Sequence, residues 1–123
     1  MRQTFRPGDR IRKRRDFVKA YEAGVRQHGR FMTIFVRPNA LPAPRLGVSA
    51  TKKLGSAVVR NRAKRRAREL FRRARPALGV DLVIIPRREF VSAPYDQLEA
   101  DYHAAVRKGI ARSRARAGAG DAG

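Results

Sequence analysis

The sequence contains no cysteine, which excludes disulfide bridges and thiolate metal sites and is typical of proteins from a reducing compartment. No apolar run approaches the roughly 18 residues of a membrane span, and residues 1–15 lack the apolar stretch of a secretory signal. Internal repeats, a P-loop and a Ser-His-Asp spacing are also missing. We therefore expect a cytoplasmic protein without a membrane partner.

Acidic residues are scarce, and this scarcity indicates the kind of partner. The 123 residues include 10 Asp and Glu against 30 Lys and Arg, a formal net charge of +20. Up to Arg75 there are 23 basic and 4 acidic residues, whereas the remainder has 7 and 6. Codon bias can replace Lys with Arg, but it does not explain such an excess. A polyanion is the expected partner, and it should contact the first part of the chain.

The length fits one domain, which we place at residues 1–112. Within it, residues 1–9 are expected to be flexible, and residues 113–123 read as a disordered basic tail rich in Gly and Ala.

Hydrophobic periodicity predicts the order α-β-β-α-β-α, to which further short strands could be added. The predicted elements are a helix at 16–23, strands at 30–37 and 45–51, a long helix capped by Ser56, a strand at 81–86 and a helix opening at 92–95. A hairpin between the first two strands is the simplest pairing, and the apolar run at 81–86 indicates a central strand. The expected fold class is an α/β (α+β) two-layer sandwich with a mixed central sheet.

The long helix is the main candidate for contact with the polyanion. At about 100° per residue, its apolar positions share one arc of roughly 120°. Nearly everything outside that arc is basic, including like-charged i, i+4 pairs such as Lys64 and Arg68, which repel each other on an isolated helix. A solvated face normally mixes signs, so we predict nucleic-acid binding, with the planar Arg fork donating to phosphate. The apolar arc comprises Val59, Ala63, Ala67, Leu70, Phe71, Ala74 and Leu78.

Aromatic residues bear on the choice between RNA and DNA, which charge alone does not settle. Phe17 and Tyr21 are four residues apart and share one helix face. With Phe35 or Phe31 of the next predicted strand they could form a floor for unstacked bases, at about 1–3 kcal/mol per base. They could equally be ordinary core residues.

Residues suited to catalysis are few. His28 lies in a predicted loop and His103 on the last helix, far from metal-ligand spacing. Acidic residues at the start of the last helix suit the macrodipole without a metal. A structural or ribosomal RNA-binding protein stays open as an alternative, as does a metal-dependent nuclease using Asp81, Glu99 or Asp101.

A composite motif runs from Leu46 to Arg72. Its centre is Arg60-Asn61-Arg62 followed by Lys64-Arg65, in the form R-N-R-x-K-R. Before it stand Gly47-Val48-Ser49, Lys52-Lys53 and Gly55 with Ala57-Val58, and after it stands Glu69-Leu70-Phe71-Arg72. This pattern closely resembles the signature of the bacterial ribonuclease P protein subunit, and the wider resemblance covers about residues 8 to 110.

The resemblance implies a compact fold with a left-handed β-α-β crossover, against the usual right-handed rule. It also implies that one protein, monomeric on its own, joins a large catalytic RNA, and that the complex removes the 5′ leader of precursor tRNA. Hydrolysis would be performed by the RNA with Mg²⁺ that the RNA mainly places. No catalytic or metal-binding residue is then expected on the protein.

Carried over by position, the resemblance implies two contact surfaces. Phe17, Tyr21 and Phe35 would line a 5′-leader cleft between the first helix and the sheet, with Tyr21 standing where Phe is common. The division of basic residues between the leader and the catalytic RNA stays open. The RNA-binding positions on the signature helix and the preceding strand are Lys52, Lys53, Arg60, Asn61, Arg62, Lys64 and Arg65, to which the charge of the helix adds Arg68.

Overall fold

The computed structural model describes residues 6–122. Its elements are α1 (Arg14–Ala23), β1 (Val25–His28), β2 (Met32–Pro38), β3 (Arg45–Val48), α2 (Ala57–Arg73), β4 (Val80–Pro86) and α3 (Tyr95–Ala122). Three short 3-10 turns accompany them, at Pro7–Asp9, Lys52–Leu54 and Arg88–Val91. In this part of the chain no helix combines the length and the apolar character needed to cross a bilayer.

The four strands form one mixed sheet in the order β1-β2-β4-β3. β2 is antiparallel to both β1 and β4, and β3 is parallel to β4. The predicted hairpin between β2 and β3 is therefore wrong, because β4 lies between them. A strand that is apolar on both faces buries more surface at the centre of a sheet than at an edge. The four-residue β1 was not predicted separately, and β3 ends earlier than predicted.

One face of the sheet carries the main core. Met32, Ile34 and Val36 of β2 point to this face and pack against α2 and α3. The predicted apolar stripe of α2 is confirmed, since Ala63, Ala67, Leu70 and Phe71 are all buried. Phe31, the alternative to Phe35 for the floor of bases, joins this core instead, because it precedes β2 and lies on the other side of the sheet from Phe35.

The opposite face of the sheet carries α1 and a much smaller core. Ile11, Ala20, Phe35 and Val83 are its buried residues, and Phe17 packs against them. Because a single ten-residue helix lies on this face, part of the surface between α1 and the sheet is left as a groove.

The connection from β3 to β4 is a β-α-β unit between adjacent parallel strands. Ser56 caps α2 as predicted, and its hydroxyl accepts from the amide of Val59 at 3.3 Å. Gly55 before it has φ +149°, where a side chain would be strained. The mixed α/β class is confirmed, and the left-handed sense of the crossover stays a prediction.

Both chain ends depart from the predicted disorder within the described residues. Residues 6–9 enter a 3-10 turn whose Asp9 is buried and pairs with Arg75 at 2.9 Å. Helix α3 continues through Ala122, with Ser113 only 7% exposed. Ala and Arg favour helix, and side chains beyond residue 109 find partners on the fold, so this segment gains enough contacts to order. The expectation for residues 1–5 lies outside the described residues.

Candidate nucleic-acid interface

Helix α2 presents basic side chains in two directions. Asn61, Arg62 and Arg65 are exposed and point away from the rest of the fold. Lys64 and Arg68 are half-buried and line the space between α2, α1 and β3. The predicted signature residues therefore divide into an outward set and a set that faces α1.

Other arginines of α2 are engaged within the fold. Arg66 donates to the backbone carbonyls of Phe90, Val91 and Ala93 at 2.8, 3.0 and 2.8 Å. Arg60 is half-buried and donates to the carbonyl of Gly55 at 3.2 Å, which ties the start of α2 to the preceding turn. Part of the basic character of α2 thus stabilises the fold, and Arg60, a predicted RNA ligand, shares both tasks.

Lys52 and Lys53 lie on a 3-10 turn before α2, not on a strand as predicted. Both side chains are exposed, whereas Leu54 of the same turn is buried and anchors it. The structure thus places the lysine pair on a turn that contacts α2 and precedes its N-terminal end.

The predicted aromatic residues come together on the α1 side of the sheet. The rings of Tyr21 and Phe35 meet edge to face with centroids 5.1 Å apart. Tyr21 is 37% exposed and Phe35 only 8%, and the guanidinium of Arg26 lies 5.8 Å from the Phe35 centroid. Phe35 therefore supports the exposed Tyr21 ring from below, and Tyr21 is the ring that a base could reach.

Beside these rings runs a groove between α1 and the end of β3, bounded by α2. We call it the leader groove, after the 5′ leader that the sequence resemblance implies it would bind. The sequence prediction missed Arg12, Arg14 and Val18 as part of it, although Arg14 and Val18 show the same four-residue spacing as Phe17 and Tyr21 and could have been found from it. Its lining residues are Arg12, Arg14, Phe17, Val18, Tyr21, Val48, Ser49, Ala50 and Lys64.

Phe17 is held against β3 by a close approach to Gly47. A Cβ at position 47 would lie 2.7 Å from the Phe17 ring, so a larger residue there would displace the ring. A small pocket on the other side of Phe17 gathers Arg10, Lys64 and Arg68. Burial, together with the positive charges of Arg10 and Arg65, lowers the pKa of Arg68. A bound anion would relieve this crowding of like charge.

Arg45 of β3 contacts both the N-terminal half of α1 and the buried Asp81. Arg45 donates two hydrogen bonds to the Asp81 carboxylate, at 2.9 and 2.7 Å, and Asn39 donates a third at 3.0 Å. Arg45 also lies 3.7 Å from Asp16 on α1. The hydrogen bond to Asp81 raises the pKa of Arg45 despite its partial burial. Asp81 is thus a structural carboxylate that joins three strands, not an open catalytic acid.

Two of the other titratable candidates, Asp101 and His28, are also engaged in hydrogen bonds. Asp101 accepts from the amides of Arg30 and Phe31, each at 2.8 Å. His28 lies at the end of β1 rather than in a loop, with Nδ1 3.2 Å from the Thr33 hydroxyl. Across residues 6–122 no three His, Cys, Asp or Glu side chains gather as metal ligands would. The residues that a metal-dependent nuclease would use are therefore dispersed or occupied.

Comparison with known proteins agrees with this geometry. A family model described as Ribonuclease P matches residues 5–109. The chain belongs to the Ribonuclease P family. Among its relatives, the ribonuclease P protein component of Syntrophus aciditrophicus is 44% identical over 94 residues, covering 75% of this chain and 79% of the relative. That of Petrotoga mobilis is 37% identical over 112 residues, covering 86% and 95%.

Solved structures of Ribonuclease P family members share the fold. The RNase P protein of Staphylococcus aureus superposes with a TM-score of 0.72 at 31% identity, covering 80% of this chain and 93% of that protein. The RNase P protein of Thermotoga maritima gives 0.70 at 32% identity, covering 77% and 92%. The resemblance drawn from the signature motif is confirmed.

Proposed function

We propose that the chain, as the protein component of ribonuclease P, binds the catalytic RNA and the single-stranded 5′ leader of precursor tRNA on two adjacent surfaces. One observation carries this proposal: α2 separates an exposed basic face from a groove that contains an exposed aromatic ring. Family membership supplies the ribonucleoprotein context of tRNA processing.

The catalytic RNA is assigned to the outward surface, which we call the signature face. It comprises Lys52, Lys53, Asn61, Arg62 and Arg65, all exposed. Guanidinium forks suit phosphate groups that project from a folded RNA, and no carboxylate belongs to this set. Binding there should therefore weaken strongly as salt rises.

The leader is assigned to the leader groove. Tyr21 offers a ring for stacking, and Phe17 extends the apolar surface beside it. Arg12, Arg14 and Lys64 place positive charge along the same groove, where a backbone would follow. Exposed rings combined with a basic channel are the usual means of binding a single strand with little sequence preference. This assignment divides the signature between the partners, with Lys64 on the leader side.

The groove would promote cleavage through differential affinity. A precursor gains contacts in the groove that the mature product lacks, and about 3 kcal/mol of such contacts equals roughly a hundredfold preference. Among the described residues no three carboxylate or imidazole groups gather as metal ligands would, and Asp81 and Asp101 are held by hydrogen bonds within the fold. We assign hydrolysis and its Mg²⁺ to the RNA subunit. A monomeric protein in the cytoplasm is the state that we expect.

The test combines the purified chain with precursor tRNA at low Mg²⁺, with and without the cognate catalytic RNA. Cleavage at the mature 5′ end only when both are present is the expected result. Cleavage by the protein alone would refute the assignment of chemistry to the RNA. An absence of stimulation would favour a structural RNA-binding protein.

Two variants separate the surfaces. Phe17→Ala should lower affinity of the holoenzyme for precursor more than for mature tRNA, because the leader alone reaches the groove. Arg62→Ala should weaken assembly with the catalytic RNA and leave the ratio of precursor to mature affinity unchanged in the assembled complex. Equal losses on both substrates for Phe17→Ala would contradict the groove assignment.

A further inference from the structure

Helix α3 extends beyond the part of the chain that the family model matches, which ends at residue 109. We call residues 110–118 the C-terminal extension. The face of α3 that meets the sheet continues into it: Gly109 is buried, Ile110 packs on the main core and Ser113 is 7% exposed. A Cβ at position 109 would lie 2.6 Å from Val36, so α3 crosses the sheet closely there. The extension is thus docked on the domain.

Two arginines of the extension reach elements of the groove side. Arg112 donates to the carbonyl of Arg26 at 2.7 Å and to the Gln27 side chain at 3.1 Å, on the edge strand β1. Arg116 donates to the carbonyls of Ala23 and Gly24 at 3.1 and 3.4 Å, at the C-terminal end of α1. Terminal carbonyls of a helix lack intrahelical donors, and a cation there also favours the helix dipole.

One of these two elements, α1, carries the Tyr21 end of the leader groove, and β1 contributes Arg26 beside the Phe35 ring that supports Tyr21. Tyr21 lies two residues before Ala23 on the last turn of α1, and Arg26 of β1 stands directly opposite Phe35 in the sheet register. Tyr21 and Arg26 both contact the Phe35 ring. The backbone groups that the extension holds are therefore those that set where Tyr21 and Arg26 lie.

We propose that the C-terminal extension positions the Tyr21 end of the leader groove, with Arg116 as the positioning residue. This inference rests on the proposed leader groove. The competing interpretation is that the extension adds positive charge and contacts RNA directly. Arg114 provides the matched control, because it belongs to the same helical segment, has the same charge and is exposed, and it makes no hydrogen bond or ion pair with the residues described.

The experiment uses reconstituted holoenzyme and measures the ratio of precursor to mature tRNA affinity over a range of salt. Arg116→Ala should lower this ratio about fivefold, on the scale of one lost charge–carbonyl contact at a helix end. Arg114→Ala should leave the ratio unchanged, and Arg116→Lys, which keeps a charged donor, should retain most of it. Amide hydrogen exchange in residues 20–27 should accelerate for Arg116→Ala and not for Arg114→Ala.

Three outcomes would overturn the inference. Equal ratios for Arg116→Ala and the wild type would show that the contact positions nothing. Equal losses for Arg116→Ala and Arg114→Ala would indicate a general charge effect. A plot of log affinity against log salt concentration that is shallower by about 0.7 for Arg116→Ala alone would indicate that Arg116 itself neutralises a phosphate. Phe17→Ala in the same assay distinguishes failure of the groove assignment from failure of the positioning role. If Phe17→Ala lowers the ratio while Arg116→Ala does not, the groove assignment holds and only the positioning role of Arg116 fails.

Discussion

The two faces of the sheet differ in how completely helices cover them. On one face, α2 and α3 enclose large side chains such as Phe71, Phe90 and Tyr102, none of which is exposed. On the other, α1 covers a core of four buried residues and leaves Tyr21 partly open beside a groove lined with cations. The first face stabilises the domain through close packing. The second face buries less apolar surface, and the groove that remains there is where we propose that the leader binds.

The use of arginine differs in the same way between regions. Arg66 and Arg45 have their guanidinium groups satisfied by carbonyls or by a carboxylate, whereas Arg62 and Arg65 are exposed on the signature face. Amino-acid composition does not distinguish these two groups of arginines. Net charge alone therefore overstates the surface area that is available to RNA.

Truncating one aromatic ring on each face of the sheet tests whether the two faces differ in packing. Phe71→Ala should lower the free energy of unfolding by about 3–5 kcal/mol, the usual cost of a cavity in a closed core. Phe17→Ala should cost clearly less, about 1–2 kcal/mol, because this ring is only partly buried. Urea denaturation of both variants measures the difference. Equal losses would mean that the groove face is packed as fully as the main core.

Asp81 tests how the groove face is held together. Asp81→Ala removes the main partner of the partly buried Arg45 and should cost about 3 kcal/mol, because the guanidinium loses both of its hydrogen bonds to that carboxylate. Asp16→Ala removes the longer 3.7 Å contact to the same arginine and should cost less than about 1 kcal/mol. Chemical denaturation gives both values, and a reversed order would show that Asp16 is the main partner of Arg45.

A pair of arginines on α2 sharpens the distinction between structural and RNA-binding charge. Arg66→Ala should lower the free energy of unfolding by about 2 kcal/mol, because three carbonyls lose a charged donor. Arg62→Ala should leave the melting temperature unchanged and raise the Kd for the catalytic RNA. Thermal melts and filter binding measure the two effects. A loss of RNA affinity without destabilisation in Arg66→Ala would contradict its structural role.

Glu69 gives the smallest effect, and it depends on pH. A hydrogen bond from Arg72, with Arg73 at 2.9 Å, lowers the pKa of Glu69 below its ordinary 4.5. Its contribution to stability is therefore present above pH 4.5 and is lost as pH falls through the lowered pKa. Glu69→Gln should cost about 0.5 kcal/mol or less at pH 7. Melting curves at pH 7 and pH 3 should show the gap closing in acid; a gap that widens in acid would refute this sign.

Prediction from the sequence succeeded where the signal was local. The apolar stripe of α2, the Ser56 cap and the buried strand at Val80–Pro86 all follow from spacing within one element. It failed at the hairpin, because strand partners depend on total burial across the sheet. The leader groove was half predicted: Phe17 and Tyr21 share a helix face, but Arg12, which precedes α1, enters the groove only once α1 lies on the sheet.

The amino-acid sequence was enough to indicate that this protein binds a polyanion and carries a recognisable family signature, because charge and motif can be read from residue order. Which of the basic side chains are available to RNA, by contrast, depends on the tertiary structure. Arg66 turns to the carbonyls at Phe90–Ala93, Arg45 to Asp81 and Arg116 to the end of α1, while Arg62 is exposed. Those partners lie far apart in the chain, so folding alone brings them within hydrogen-bonding distance.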